Sequence, residues 1–239
     1  MNRLTWRLAT LTEASFETAS ARTLVFDVPD WPGHLPGQHV DVRLTAPDGY
    51  TTQRSYSIAS AADGNRVELT VQRVDDGEVS PYLTDTLTVG DPCELRGPVG
   101  GWFVWRPGLV PVTLIAGGSG VVPLMAMIRA RHMLKNQTPF RLLYSVRTPD
   151  DVLYADELRT RSRDDRGLDV SYVYTRQAPS DFRRPAGRIM VSDVNTHAWP
   201  PGFLPATYVC GPTSFVEKVA DILVALGHDT RAIRTERFG

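Results

Sequence analysis

Near Pro107 the chain changes rhythm, and that change restricts it to few architectures. Before it, short runs of β-branched or alternating apolar residues recur at 23–29 (TLVFDVP), 38–46 (QHVDVRLTA), 54–60 (RSYSIAS), 66–74 (RVELTVQRV) and 91–98 (DPCELRGP). Turn-forming stretches such as DWPGHLPG, PDGY, ADGN and VDDGE separate them. Short strands at regular spacing predict an antiparallel barrel or sandwich. One helix interrupts them: SPYLTDTL carries Ser80 at the N-cap and Pro81 at the first helical position. After Pro107 a buried-strand run at 112–117 (VTLIAG) leads into helical periodicity at 121–135. Strand 140–146, helix 150–163, strands 168–175 and 206–211 and helix 214–227 continue the alternation. Strand followed by helix, repeated, predicts a parallel sheet with crossover helices. The expectation is two domains, a β-barrel over 1–106 and a Rossmann-like α/β domain over 107–239.

Charge and cysteine content remove whole function classes. A formal net charge of −1 gives no reason to expect nucleic acid or an anionic membrane as partner. The first residues, MNRLTWRLATLTEAS, lack the apolar core of a signal peptide, and the longest apolar stretch is interrupted by Gly and Pro. A cytoplasmic protein that does not span a membrane is expected. Cys93 and Cys210 are the 2 cysteines, far apart, so neither a four-cysteine zinc site nor a plant-type iron–sulfur centre is available, and no metal site is expected. No nucleophile elbow or Ser/His/Asp pattern supports a hydrolase.

Each half carries a phosphate-binding signature. In the second half, GGSGVVP lies between a buried strand and a helix, where glycines let the backbone approach a pyrophosphate and helix N–H groups point at it. Gly118 and Gly120 have the first two spacings of the dinucleotide fingerprint, and Pro123 stands where its third Gly or Ala belongs. In the first half, Gly77 allows a tight turn into Ser80, whose hydroxyl reads either as a helix cap or as part of an anion site. Arg54 supplies a cation with no acid in its own run. Strand alternation places Arg54 and Tyr56 on one face and Ser55 and Ser57 on the other.

Taken in order, Arg54-Ser55-Tyr56-Ser57, Gly77-x-x-Ser80, RGPVGGWF, AGGSGVVPLMAMIR, LLYSVRTPDD, YVCGPTSF and TERFG resemble the ferredoxin–NADP reductase family, in the style of the reductase modules of bacterial oxygenase systems. The resemblance runs from about residue 20 to the end. It implies a six-stranded antiparallel flavin-binding barrel followed by a nucleotide-binding domain. It also implies FAD: Arg54 on the pyrophosphate, Tyr56 against flavin and ribityl, and Ser57 near flavin N5. The backbone around Gln72 and Val74, and the turn of Gly77, Val79 and Ser80, complete that site. An arginine fork suits phosphate oxygens, and an aromatic plane suits a flat ring.

On the nicotinamide side the resemblance implies that Gly117, Gly118, Gly120 and Pro123 hold the pyrophosphate. Cys210 and Gly211 lie beside the nicotinamide, although a buried structural thiol is the plain alternative for Cys210. Phe238 covers the flavin until nicotinamide displaces it, and Glu236 joins a proton or hydrogen-bond relay. Both also lie at the chain end, where fraying is common. Ser145 precedes Arg147, and Arg176 follows the next strand. The two arginines suit a 2′-phosphate, so NADPH is expected, with NADH as the alternative. The expected activity is hydride transfer from NADPH to FAD, then single electrons to a separate ferredoxin or similar small redox protein serving an oxygenase or cytochrome P450. A monomer is expected. A reductase of free flavin, ferric chelates or another small acceptor shares every motif, and a flavin-binding regulatory subunit without turnover is the reading from another class.

Overall fold

The computed structural model describes residues 4–238. Contacts divide them into two compact units: residues up to Arg106 together with Met125–Met133, and Pro107–Leu124 together with Leu134 onward.

The first unit holds an antiparallel 6-stranded sheet: β1 (Trp6–Thr18), β2 (Ala21–Asp27), β3 (His39–Thr45), β4 (Thr51–Ser57), β5 (Arg66–Gln72) and β6 (Pro92–Val99), in the order β4-β3-β6-β1-β2-β5. A bridge between Ile58 and Leu69, with the Ala59 N–H donating to the Glu68 carbonyl at 2.7 Å, joins the two edge strands and closes the barrel. Inward residues of every strand, among them Leu11, Phe26, Val40, Val42, Leu69 and Leu95, form one core. Strand β1, 13 residues long, is absent from the strands read in the sequence. Only Ala9 and Leu11 along it are buried, which is too sparse an apolar alternation to mark a strand.

The helix after β5 also differs from the expected one. Helix α1 (Val79–Pro81) is capped by Glu78, not Ser80, and continues as a π-helical turn over Tyr82–Thr86. Val79, Leu83 and Leu87 sink into the barrel core. The Arg22 guanidinium donates to the carbonyls of Leu83, Thr84 and Leu87, the last at 2.8 Å. A cation therefore meets the carbonyl end of this turn, where helix polarity favours it.

The second unit holds a 5-stranded parallel sheet in the order β11-β10-β7-β8-β9: β7 (Val112–Gly117), β8 (Phe140–Val146), β9 (Leu168–Tyr174), β10 (Ala206–Pro212) and β11 (Ile233–Phe238). Helices α2 (Val121–Met133), α3 (Ala155–Asp164), α4 (Val191–His197) and α5 (Thr213–Ala225) lie between strands in sequence. Ile115, Leu143, Val173 and Val209 of the sheet pack with Val216, Val219 and Leu223 of α5. Helix α2 is buried on nearly every side from Val121 to Ala130, so its apolar residues form a whole surface rather than one stripe. Helix α3 begins at Ala155 rather than 150. Thr148 and Asp151 cap a separate 3-10 turn, and Tyr154 then takes a left-handed conformation (φ 58°) that breaks the path. The chain end is strand β11, paired in parallel with β10, and not a frayed tail. No described helix is long and apolar enough to cross a membrane.

A buried histidine gives the barrel unit a pH dependence. The Trp31 Nε1–H donates to His34 Nδ1 at 3.1 Å, so His34 Nε2 carries the proton and donates to the Ser60 carbonyl at 3.0 Å. Burial pushes the imidazole below its ordinary 6.5, against the Ser60 carbonyl, which pulls it up. The unfolded chain therefore binds this proton more readily than the folded one. The contribution is complete above the ordinary value of 6.5 and is lost as pH falls through the folded value. Urea titrations followed by tryptophan fluorescence should show stability dropping below that pH. In His34→Asn the drop should be smaller, with a residue left by His39 and His228, which burial also pushes down.

Candidate functional site

Pairing across β3 and β4 fixes which way the arginine–tyrosine run faces. Arg54 lies opposite Val42 and Tyr56 opposite Val40, while Ser55 lies opposite Asp41 and Ser57 opposite His39. Paired residues of an antiparallel ladder share a face, so Arg54 and Tyr56 point to the side of the core valines. Tyr56 is half-buried against that core. Burial pushes its phenol up to about 12, although Arg54 pulls the other way, so the ring is uncharged at neutral pH. Arg54 is exposed, and its Nη1 donates to the Gln53 carbonyl at 2.8 Å. No carboxylate pairs with it among the described residues, which leaves the guanidinium fork to face an anion.

Ser55 has another engagement. Its hydroxyl donates to Asp41 Oδ1 at 2.7 Å, and Arg96 Nη2 holds Asp41 Oδ2 at 2.7 Å. Burial alone would raise the Asp41 carboxyl, but the bonds from Ser55 and Arg96 outweigh it and hold the group below its ordinary range. This anchor fixes the backbone of β4 between Arg54 and Tyr56.

The segment after β5 is tied to itself. The Arg73 N–H donates to the Ser20 carbonyl at 2.7 Å, the Val74 N–H to Ser80 Oγ at 3.1 Å, and the Gly77 N–H to the Val74 carbonyl at 2.9 Å. A Cβ on Gly77 would stand 3.1 Å from both Ser80 Oγ and the Val74 carbonyl, so the turn closes tightly there. Both backbone groups of Val74 are thus engaged within the loop. Ser80 Oγ accepts from the backbone inside the loop and keeps its own proton to donate. The Val79 side chain is fully buried, Val74 is exposed, and Gln72 ends β5 opposite Ala21.

In the second unit every predicted residue lies at or near the carboxyl end of the sheet or in the turn leaving it. Gly117 ends β7 and pairs with Ser145 of β8, while Cys210 of β10 pairs with Ala116 and Glu236. Phe238, half-exposed, pairs with Pro212. Gly118 starts a 3-10 turn with φ +54°, Gly120 ends it, and Pro123 sits in the first turn of α2. A Cβ on Gly120 would stand 2.2 Å from the Cys210 carbonyl oxygen and 2.8 Å from the Gly211 nitrogen. A Cβ on Gly117 or Gly211 would meet the Phe215 ring at 2.7 or 2.8 Å. Only glycine lets these backbones approach so closely. Phe215, which sequence reading assigned no role, is the wedge that requires two of these glycines; a pattern of residues cannot reveal that contact.

Cys210 is buried, and desolvation, reinforced by Glu236, pushes its thiol well above the usual range, so it is a neutral thiol and not a nucleophile. Arg147 follows β8, and its carbonyl accepts from the N–H groups of Arg176 and Gln177 at 2.9 and 3.2 Å. The two arginines therefore stand side by side past the sheet edge, both exposed and neither paired with a carboxylate among the described residues.

The barrel matches the description "Oxidoreductase FAD-binding domain" over residues 8–104, and residues 114–221 match "Oxidoreductase NAD-binding domain". The chain belongs to the ferredoxin–NADP reductase family. Its FAD-binding and NAD-binding domains follow one another in the order the motifs predict. The reductase subunit of glycine betaine monooxygenase from Chromohalobacter salexigens is 31% identical over 230 residues, 93% of this chain and 61% of that one. Methane monooxygenase component C from Methylosinus trichosporium is 36% identical over 126 residues, 53% of this chain and 36% of that one. The chain thus spans roughly a third to three fifths of the length of these curated relatives. The FAD/NAD-binding domain of a nitric oxide dioxygenase from Vibrio cholerae superimposes with a TM-score of 0.86 at 26% identity, covering 98% of both chains. A cytochrome P450 reductase from Amycolatopsis shares the fold, with a TM-score of 0.85 at 24% identity over 100% of this chain and 71% of that one.

The glycine contacts make a direct prediction. Gly120→Ala should lower stability to urea by about 1–3 kcal/mol, because its methyl group strikes backbone and not a movable side chain. Gly187→Ala, with nothing within 4 Å of its Cβ, should stay within about 1 kcal/mol of the parent.

Proposed function

We propose that the chain takes hydride from NADPH onto FAD and passes electrons singly to a separate ferredoxin-like protein serving an oxygenase or cytochrome P450. The observation that carries this reading is the fall of the two family descriptions on two successive folds, barrel first and parallel sheet second. Bound FAD supplies a centre that accepts two electrons together and releases them one at a time.

The residues present fit that group. Arg54, with only a backbone carbonyl as partner, takes the pyrophosphate of FAD. The Tyr56 ring lies against flavin and ribityl, and Ser57 hydrogen-bonds near N5. The Ser80 hydroxyl and the backbone of Gly77 and Val79 face the phosphates, with Gln72 and Val74 alongside the ribityl chain. Ser55 acts on this site through Asp41, by holding β4 in register, rather than by touching the cofactor.

For the coenzyme, Gly117, Gly118, Gly120 and Pro123 receive the pyrophosphate, and Cys210 and Gly211 border the nicotinamide. A neutral buried thiol suits that border, because it adds no charge where the nicotinamide gains positive charge. Ser145, Arg147 and Arg176 receive the 2′-phosphate, Phe238 covers the flavin ring, and Glu236 orders the hydrogen bonds around it. The relatives named as reductase components of monooxygenases support an acceptor that is a separate protein. We place the chain in the cytoplasm as a monomer.

Replacing Arg147 by Ala should raise the KM for NADPH about tenfold or more, the loss expected for a charge-assisted phosphate contact, and leave the KM for NADH nearly unchanged. Equal weakening of both coenzymes would remove the 2′-phosphate assignment. Fast reduction of a [2Fe–2S] ferredoxin supports the acceptor assignment. Fast reduction of free flavin or ferric citrate with none of ferredoxin would replace it with a small-molecule reductase.

A further inference from the structure

His39 is the titratable side chain that the barrel sets beside Ser57. The two residues are direct partners across β3 and β4, so their side chains share a face of the sheet. His39 also pairs with Val99 of β6, and a Cβ on Gly100 would stand 3.5 Å from its Nδ1 and 3.6 Å from its Cε1. The imidazole therefore lies over the Gly100 backbone, in a place that admits no larger neighbour without contact. Gly100 itself is held, since Gln38 Nε2 donates to its carbonyl at 2.6 Å.

The charged and titratable groups around this imidazole are few. On its own strand Asp41 is the nearest, and that carboxylate is tied to Ser55 of β4 and Arg96 of β6. From β4 the facing residues are the hydroxyls of Ser55 and Ser57, and from the loop after β6 the uncharged Gly100 and Gly101. Burial pushes the imidazole below its ordinary value, and Asp41 pulls it partly back, so it is neutral and able to accept a proton near pH 7.

The reaction proposed above demands such a group. Hydride arrives with two electrons and one proton's worth of hydrogen at N5, whereas the acceptor removes electrons alone. As the second electron leaves, the N5 hydrogen must depart as a proton. We propose that His39 receives that proton through the Ser57 hydroxyl: Ser57 Oγ takes the proton from N5 while its own O–H proton passes to the imidazole, which later releases it to solvent. The electrons go to the one-electron acceptor, the N5–H bond breaks, and a histidine N–H bond forms. This inference rests on the placing of Ser57 near N5.

The test uses the full chain loaded with FAD, bleached anaerobically with NADPH and then mixed with ferricyanide over a range of pH. Bleaching reports hydride arrival, and return of colour reports loss of electrons and proton. His39→Gln should slow the return of colour about 100-fold more than it slows bleaching, the usual scale for removing a positioned acid–base group. It should also abolish the pH dependence of that step and its slowing in deuterium oxide. Ser57→Ala should do the same with His39 intact. As a readout independent of turnover, the His39 imidazole resonances should titrate differently in the FAD-loaded chain once Ser57 is Ala. If His39→Gln recovers colour at the parental rate with the parental pH profile, His39 has no such role. If the parent chain binds FAD but NADPH never bleaches it, the underlying reductase reading fails instead, so the two failures are distinct.

Discussion

The close approach of the Gly118–Gly120 turn to the end of β10 is the contact on which the nucleotide-binding unit depends. A side chain at Gly120 would overlap the Cys210 carbonyl, and one at Gly117 or Gly211 would overlap the Phe215 ring. With glycine at all three, the turn leaving β7 settles on the end of β10, and α2 starts with its N-terminal N–H groups at the sheet's carboxyl edge. Arg147 reaches the same edge from β8, and Arg176 follows from β9, joined to it by backbone hydrogen bonds. A polar, positively charged rim over a buried apolar sheet is a place where a dinucleotide's phosphates find donors and its rings find carbon.

In the barrel the organising interaction is electrostatic. Asp41 gathers Ser55 from β4 and Arg96 from β6, and so locks three neighbouring strands in register. With that carboxylate satisfied inside the sheet, Arg54 is left without an acidic partner among the described residues. An arginine that the fold provides with no internal counter-ion is available to an external anion. Arg43, by contrast, is taken up by Glu94, with Nε at 2.8 Å from Oε2, and stacks over Trp6 at 4.2 Å. Sequence alone does not separate these two arginines; the pairing of their strands does.

The fold class was legible because its two signals are local. Alternating short strands punctuated by turn residues mark a barrel, and the strand-helix rhythm after Pro107 marks a parallel sheet. What escaped was set by tertiary contact. Strand β1 exposes Leu8, Thr10 and Thr12 and buries only Ala9 and Leu11, so its strand character comes from pairing on both sides with β2 and β6. Strand β11 buries only Ile233 and is held by β10. Ser80 reads as a cap because serine before proline usually is one, yet its hydroxyl accepts from Val74, a partner six residues back that no helix rule includes. Of the site residues, the glycines and arginines were legible by type and spacing. Phe215, Asp41 and His39 were not, since each acts through a neighbour on another strand or turn.

The account's central claim is that this chain binds FAD and receives hydride on it from a nicotinamide coenzyme. The most direct measurement mixes the purified, FAD-reconstituted protein anaerobically with NADPH and, separately, NADH while the visible flavin absorbance is followed. The account predicts rapid bleaching with NADPH and slower bleaching with NADH. A protein that binds FAD and keeps its full colour with both coenzymes would contradict it and leave a flavin-binding role without turnover in its place.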